Sequence, residues 1–276
     1  MKYNKYHALG NDYIVVDPKD LDHEITTKEI IILCNRHYGI GSDGILYGPL
    51  KSKGCDFSLK IFNPDASEAE KSGNGLRIFS RYLWDCNLVN SNTFSIETKG
   101  GNVSATVHDD GKSVSVDMGK VRFTHEPVGS PRAQAKTISV IGKRFEFYVA
   151  NVGNPHCVIL VDDLSPEIAI KYGSLIENDS QFENRTNVQF LKIIDRNTIQ
   201  IEIWERGAGY TLASGSSSTA SAAVAHELGF CGSNISVNMP GGIIEISLNT
   251  EFEAIMKGAV CKIGTGNLSS EALESF

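Results

Sequence analysis

Apolar residues in this chain fall into short runs with turn residues between them. Tyr13–Val16 (YIVV) and Cys157–Val161 (CVILV) are strand-sized, far below the roughly 20 residues a membrane-spanning helix needs. Phe57–Phe62 and Ile199–Trp204 also predict strands. Val103, Ala105 and Val107 alternate with polar neighbours, as do Ile244, Ile246 and Leu248. That period of two places each trio on one face of a strand. Helical spacing occurs elsewhere. Leu76, Phe79 and Leu83 stand at i, i+3 and i+7, and Thr27–Arg36 predicts a further helix. The alanine-rich stretch Thr219–Leu228 ends at Gly229, a C-cap candidate.

The elements occur twice. Laid over itself at an offset near 142 residues, the chain matches Leu9-Gly10-Asn11 and the strand after it to Val152-Gly153-Asn154 and its strand. The strand ending at Asn63 stands nine residues before Ser72, and the strand ending at Glu205 stands nine before Ser214. Each serine precedes a glycine and a helix. Each helix precedes a strand, a Gly-Gly pair and an alternating strand (FSIETKGGNVSATV and ISVNMPGGIIEISL). This register predicts duplication. The fold class is α+β, with two pseudo-symmetric domains, each a curved, mostly antiparallel sheet wrapped around a central helix. The expected domains are 1–122 and 123–264, with the tail 265–276 packing on the first. The segment Arg122–Ala135, with two prolines and a glycine, reads as the linker, and a strand from Thr137 opens the second domain.

Composition narrows the class. Apolar residues at 41% and charged residues at 21% describe a globular chain. A net charge of −7 without a Lys/Arg cluster argues against a nucleic-acid partner and for a small molecule. The N-terminus, MKYNKYHALGND, has no signal-peptide core, so the cytoplasm is expected. The six cysteines, Cys34, Cys55, Cys86, Cys157, Cys231 and Cys261, form no CxxC pair and read as buried small hydrophobes. Cys34 and His37 lack a second pair to complete a metal site, so no metal is expected. Gly39–Gly44 matches GxGxxG, but a helix before it and a strand after it reverse the order of a dinucleotide fingerprint.

Each half sets a Ser-Gly turn at the start of its central helix. Helix N-termini expose unpaired N–H groups and partial positive charge, so two of them facing one cleft would hold a carboxylate from both sides. The residues just before the helices would flank the bound molecule on opposite faces. Inverting a stereocentre needs that arrangement, with one group removing a proton and another delivering one to the opposite face.

The blocks KYHALGNDY, GIGSDGIL, FNPDASEAEKSGNGLR, VGNPHCV, RTN and ERGAGYTLASGS resemble, in order, the signatures of the diaminopimelate epimerases, from Lys2 to about Gly264. The resemblance implies an isomerase that converts LL-diaminopimelate to its meso form for lysine and cell-wall synthesis. It implies no pyridoxal phosphate or other cofactor, and homodimers. The family's two catalytic thiols map onto Ser72 and Ser214. The substrate's α-carboxylate would meet backbone N–H groups at Gly73, Asn74, Gly215 and Ser216, and its α-amine Asn63 and Glu205. The distal carboxylate and amine would meet Asn11, Asn63, Asn154, Asn187 and Arg206. His156 resembles the family's supporting histidine.

Serine at both catalytic positions departs from the pattern. A thiol ionises near 8.5 and lower at a helix N-terminus, whereas an alcohol is a far weaker acid. Little or no turnover is therefore expected. The leading account is replacement of both thiols so as to hold substrate. A natural paralogue that binds an amino acid without turnover is the second, and a different chemistry such as hydrolysis is disfavoured by the absence of GxSxG. Tyr210 stands where many members carry an acidic residue, and Ser217 replaces a glycine. Tyr210 reads as space-filling at the domain interface. If it faces the cleft instead, a racemase for another amino acid, such as histidine or lysine, becomes the alternative.

Overall fold

The computed structural model describes residues 1–123 and 133–274. Two compact units divide the chain: Met1–Asp117 together with the segment from Gly258 onward, and Met118–Lys257. The first begins with the antiparallel pair β1 (Lys2–Ala8) and β2 (Asn11–Val16). Helix α1 (Thr27–Cys34) follows, opened by a capping box in which the Thr26 hydroxyl accepts from the Glu29 N–H and the Glu29 carboxylate accepts from the Thr26 N–H. Next come β3 (Ile45–Leu50), parallel to β2, β4 (Phe57–Phe62), antiparallel to β3, and the short β5 (Glu68–Ala69). The central helix α2 (Gly73–Asp85) leads to β6 (Phe94–Thr98), parallel to β4, then to β7 (Gly101–His108) and β8 (Ser113–Lys120).

The second unit repeats this order. After β9 (Arg122–Phe123) and β10 (Lys136–Val140) come β11 (Lys143–Asn151) and β12 (Pro155–Leu160), an antiparallel pair. Helix α3 (Pro166–Glu177) leads to β13 (Asn187–Asp195), parallel to β12, then β14 (Thr198–Glu205) and β15 (Gly209–Thr211). The central helix α4 (Gly215–Glu227) precedes β16 (Asn234–Met239), parallel to β14, then β17 (Gly242–Leu248) and β18 (Glu253–Ala259). The pairings from β1–β2 to β6–β7 thus match those from β11–β12 to β16–β17 in sense, which fixes the α+β class. The chain then returns to the first unit. There β19 (Cys261–Asn267) pairs with β1, and α5 (Ser270–Glu274) packs beside α1.

Alternation divides each sheet between two helices. Ile14, Val16, Ile30, Leu33, Ile45 and Leu268 form a core on the α1 side. Leu76, Phe79 and Leu83, the helical stripe, are fully buried on α2, and each such side chain contributes about 1.5–3 kcal/mol. In the second unit Phe145, Phe147, Cys157, Ile159, Ile176 and Phe190 pack with α3. Helix α4 is buried over most of its surface because strands surround it, and its alanines and serines let them approach closely. Gly229, at φ 77°, caps it as expected.

Several expectations change. The boundaries read from sequence, 122/123 and 264/265, differ from the divisions at 117/118 and 257/258, because β19 pairs with β1 along its length. Most of the expected linker lies outside the described residues, and its first two form β9. Cys34, Cys157 and Cys231 are buried, but Cys55 and Cys86 are half-buried and Cys261 is exposed. Cys261 begins a strand whose side chains are mostly exposed. Helix α3 was missed, although Ser165-Pro166 and the apolar positions 168, 169, 172 and 176 mark it. Among the described residues no helix is long and apolar enough to cross a membrane.

Candidate active site

In the first unit Ser72 is the N-cap of α2, with extended backbone (φ −138°, ψ 116°), and its Oγ accepts from the Gly75 N–H at 3.0 Å. Gly73 and Asn74 form the first turn, whose N–H groups have no intrahelical acceptors. A Cβ at Gly75 would lie 3.0 Å from Leu46 Cδ2 and 3.2 Å from Ser72 Cβ, so a larger residue would crowd the cap. Tyr13, on β2, brings its hydroxyl to 3.3 Å from Ser72 Oγ. Its ring lies so close to Gly44 that a Cβ there would sit 2.7 Å away.

Asn11 and Asn74 are joined directly. Asn74 Nδ2 donates to Asn11 Oδ1 at 2.9 Å, Arg77 donates to Asn74 Oδ1 at 2.9 Å, and Asn11 Nδ2 donates to Asp43 at 2.8 Å. Burial of Arg77 lowers its guanidinium to about 10. Asp43 also accepts from Arg36, which pairs with Asp12. Burial alone would raise Asp12, but Arg36 and Lys5 hold its carboxyl below the usual range. Asn63 stands in the turn between β4 and β5, exposed, with its Nδ2 donating to Ser67 Oγ at 2.9 Å.

In the second unit Ser214 caps α4 with nearly the same backbone (φ −144°, ψ 125°), and Gly215 and Ser216 open the helix. Its Oγ accepts from the Ser217 N–H at 3.4 Å. Glu205, at the end of β14, has its carboxyl raised by burial, against hydrogen bonds from Ser214 and Thr211 that lower it. His156 is fully buried, its Nε2 2.9 Å from Asn154 Oδ1. Burial lowers the ring to about 3, with the Gln189 amide acting upward and the Arg206 charge downward. The imidazole is therefore neutral at physiological pH.

Asn187 and Arg206 also meet, the Arg206 N–H donating to Asn187 Oδ1 at 3.0 Å while Asn187 Nδ2 donates to the Pro155 carbonyl at 2.9 Å. Asn187 thus braces the Arg206 loop. Glu177, buried at the end of α3, fixes the same region by accepting from Arg185 (3.0 Å), Trp204 Nε1 (2.8 Å) and the Gly207 N–H (3.0 Å). Tyr210 packs against the second unit's own core, and its hydroxyl donates to Glu202 at 2.7 Å.

The profile of the family described as diaminopimelate epimerase matches residues 3–124 and 148–263. The chain belongs to the diaminopimelate epimerase family. It is 56% identical to diaminopimelate epimerase 2 of Nostoc sp. (strain PCC 7120), over 98% of this chain and 96% of that protein. It is 33% identical to the diaminopimelate epimerase of Synechocystis sp. (strain PCC 6803), over 96% and 98% of the two chains. A hydroxyproline epimerase from Agrobacterium vitis, solved with bound trans-4-hydroxy-L-proline, has the same fold: TM-score 0.71, 15% identity, and 96% and 91% of the two chains covered. The diaminopimelate epimerase fold therefore carries isomerases, and this chain is one by kinship. Within that frame, sequence reading missed Tyr13, Asp43, Glu177 and Gln189. Tyr13 and Asp43 lie inside the quoted blocks NDY and GSDG. Glu177 and Gln189 carry no local signal, because the loops and strand they serve are brought to them by the fold.

Proposed function

We propose that this chain is built to bind LL-diaminopimelate for conversion to the meso isomer by a two-base mechanism, with positions 72 and 214 as the acid/base pair. With serine at both, the chain binds with little or no turnover. The observation that carries this reading is the repeated cap: both residues precede a central helix, share one extended backbone conformation, and accept from the N–H three residues on. Such a group sits where a helix end favours the anion it becomes on losing a proton. The first-turn N–H groups at 73, 74, 215 and 216 would hold the α-carboxylate, and they would stabilise charge as the α-proton leaves. Asn154 and Arg206 supply donors for the distal carboxylate, and Glu205 and Asn63 take the α-amine. Tyr210 belongs to its own unit's packing and gives no ground for another substrate.

The test is α-proton exchange in heavy water with LL-diaminopimelate, preceded by calorimetric titration. The chain with Ser72 and Ser214 should bind and exchange slowly or not at all. The Ser72→Cys, Ser214→Cys double variant should incorporate deuterium and form the meso isomer. Turnover by the serine-bearing chain on the order of 1 s⁻¹ or more would sink the inactive-serine reading. A folded double variant that binds without exchange would sink the two-base assignment.

A further inference from the structure

His156 lies between two amides. Its Nε2 faces Asn154 Oδ1 at 2.9 Å, and the Gln189 side chain interacts with the ring as well. His156 Nδ1 and Gln189 Oε1 are both buried and have no hydrogen-bond partner among the described residues. Two amide oxygens facing the ring would suit an imidazolium, which donates twice. Burial lowers this ring to about 3, so it is neutral, and a neutral imidazole donates once and accepts once.

Gln189 can resolve the conflict at no loss. Its Nε2 stands 3.0 Å from Ser217 Oγ, and a hydroxyl donates as readily as it accepts. With the Gln189 amide turned by half a rotation, Nε2 donates to His156 Nδ1 and Oε1 accepts from Ser217 Oγ. The 2.9 Å bond from Nε2–H to Asn154 Oδ1 is kept.

The duplicated fold supplies an internal control. The pairings Ile14↔Ile45 and Cys157↔Val188 place Tyr13 opposite His156 in the repeat, Leu46 opposite Gln189, and Gly75 opposite Ser217. In the first unit the cap is reached by a phenol, and the pair beneath it is apolar, Leu46 against Gly75. In the second unit every member of that trio is polar, and all three are fully buried. Packing alone would be met by the first arrangement.

We propose that Gln189 and Ser217 are positioning residues that fix His156 as its Nε2–H tautomer, so that Asn154 keeps its carbonyl inward and turns its amide N–H groups toward the anionic group of the ligand. The opposite tautomer would turn the Asn154 carbonyl outward, toward a cation. The ligand part rests on the function proposed above, and Arg206, whose charge acts on the same ring, is the companion donor.

The test is ¹⁵N NMR of the full chain with Ser72 and Ser214, with His156 assigned from its loss in a His156→Gln variant. The expected result is a ring protonated at Nε2, with coupling across a hydrogen bond between Nδ1 and the Gln189 side-chain nitrogen. A ring protonated at Nδ1 overturns the proposal and needs no variant that might misfold. Gln189→Leu, which copies the first unit's Leu46, should abolish the coupling and weaken LL-diaminopimelate binding at least fivefold, and Ser217→Ala should do both more weakly. Unchanged affinity in folded Gln189→Leu refutes the positioning role. A full chain with the expected tautomer that binds no diaminopimelate refutes the functional reading and leaves the tautomer assignment standing.

Discussion

Cysteines introduced at 72 and 214 should differ in acidity, the one at 72 being the stronger acid. At position 72 the capping atom meets the Gly75 N–H at 3.0 Å and the Tyr13 hydroxyl at 3.3 Å. A helix N-terminus favours an anion by about 0.3–1 kcal/mol, and a hydrogen bond to a charged group contributes about 1.5–3 kcal/mol. At 1.36 kcal/mol per pK unit, these together lower a thiol from about 8.5 by about 1–3 units. At position 214 the N–H is more distant, at 3.4 Å, and the Glu205 carboxyl is a hydrogen-bond partner. Once ionised, a carboxylate about 4 Å from a thiolate costs about 1–4 kcal/mol between water-like and intermediate dielectric, or about 1–3 units upward. The separation should therefore be at least one unit. Site-resolved alkylation against pH measures it, and the serine-bearing chain, with its six other cysteines, is the blank. Glu205→Gln should lower the value at 214 and leave that at 72 unchanged. A cysteine at 214 that titrates at or below the one at 72 refutes the argument, and with it the idea that the two positions differ as base and acid.

Two other outcomes follow from buried groups of the second unit. Glu177→Ala removes the acceptor of the half-buried Trp204 N–H, of the exposed Gly207 N–H and of Arg185, and at about 1–3 kcal/mol for a buried donor left unpaired it should destabilise the chain by about 1–3 kcal/mol. Urea midpoints measure this, and a loss under 0.5 kcal/mol would show that the carboxylate does not hold those loops. His156 stays neutral in the fold down to about 3, while the unfolded chain takes up that proton below about 6.5. The unfolded state then binds more protons, so stability from this group is complete at pH 7 and falls on acidification, by about 2 kcal/mol at pH 5. His156→Gln should remove that part of the acid slope, and an unchanged slope would mean that the ring is charged in the fold.

Much of this was legible in the sequence because duplication prints each element twice. The stripe Leu76, Phe79 and Leu83 and the glycine after α4 gave both central helices, and the nine-residue spacing to each serine placed both caps. Helix α3 is marked only by Ser165-Pro166 and the apolar positions 168, 169, 172 and 176, with no repeated cap-and-glycine signal like that of the central helices. The partners of the site residues were harder to see. Asp43 reaches Asn11, Glu177 reaches Gly207 and Gln189 reaches Ser217 only after strands and helices distant in sequence pack together. Asn187 was expected to face a ligand, yet its carbonyl serves the Arg206 backbone, which no spacing rule announces.

The pairing of β19 with β1 joins residues more than 250 positions apart in sequence, Lys2 with Asn267 and His7 with Cys261. The first unit therefore cannot be complete until the segment from Gly258 has left the ribosome, whereas the second is one continuous stretch. Until then β1 has β2 on one side and an open row of backbone donors and acceptors on the other. The first unit is thus begun before the second in synthesis and closed after it, when β19 covers the open edge of β1.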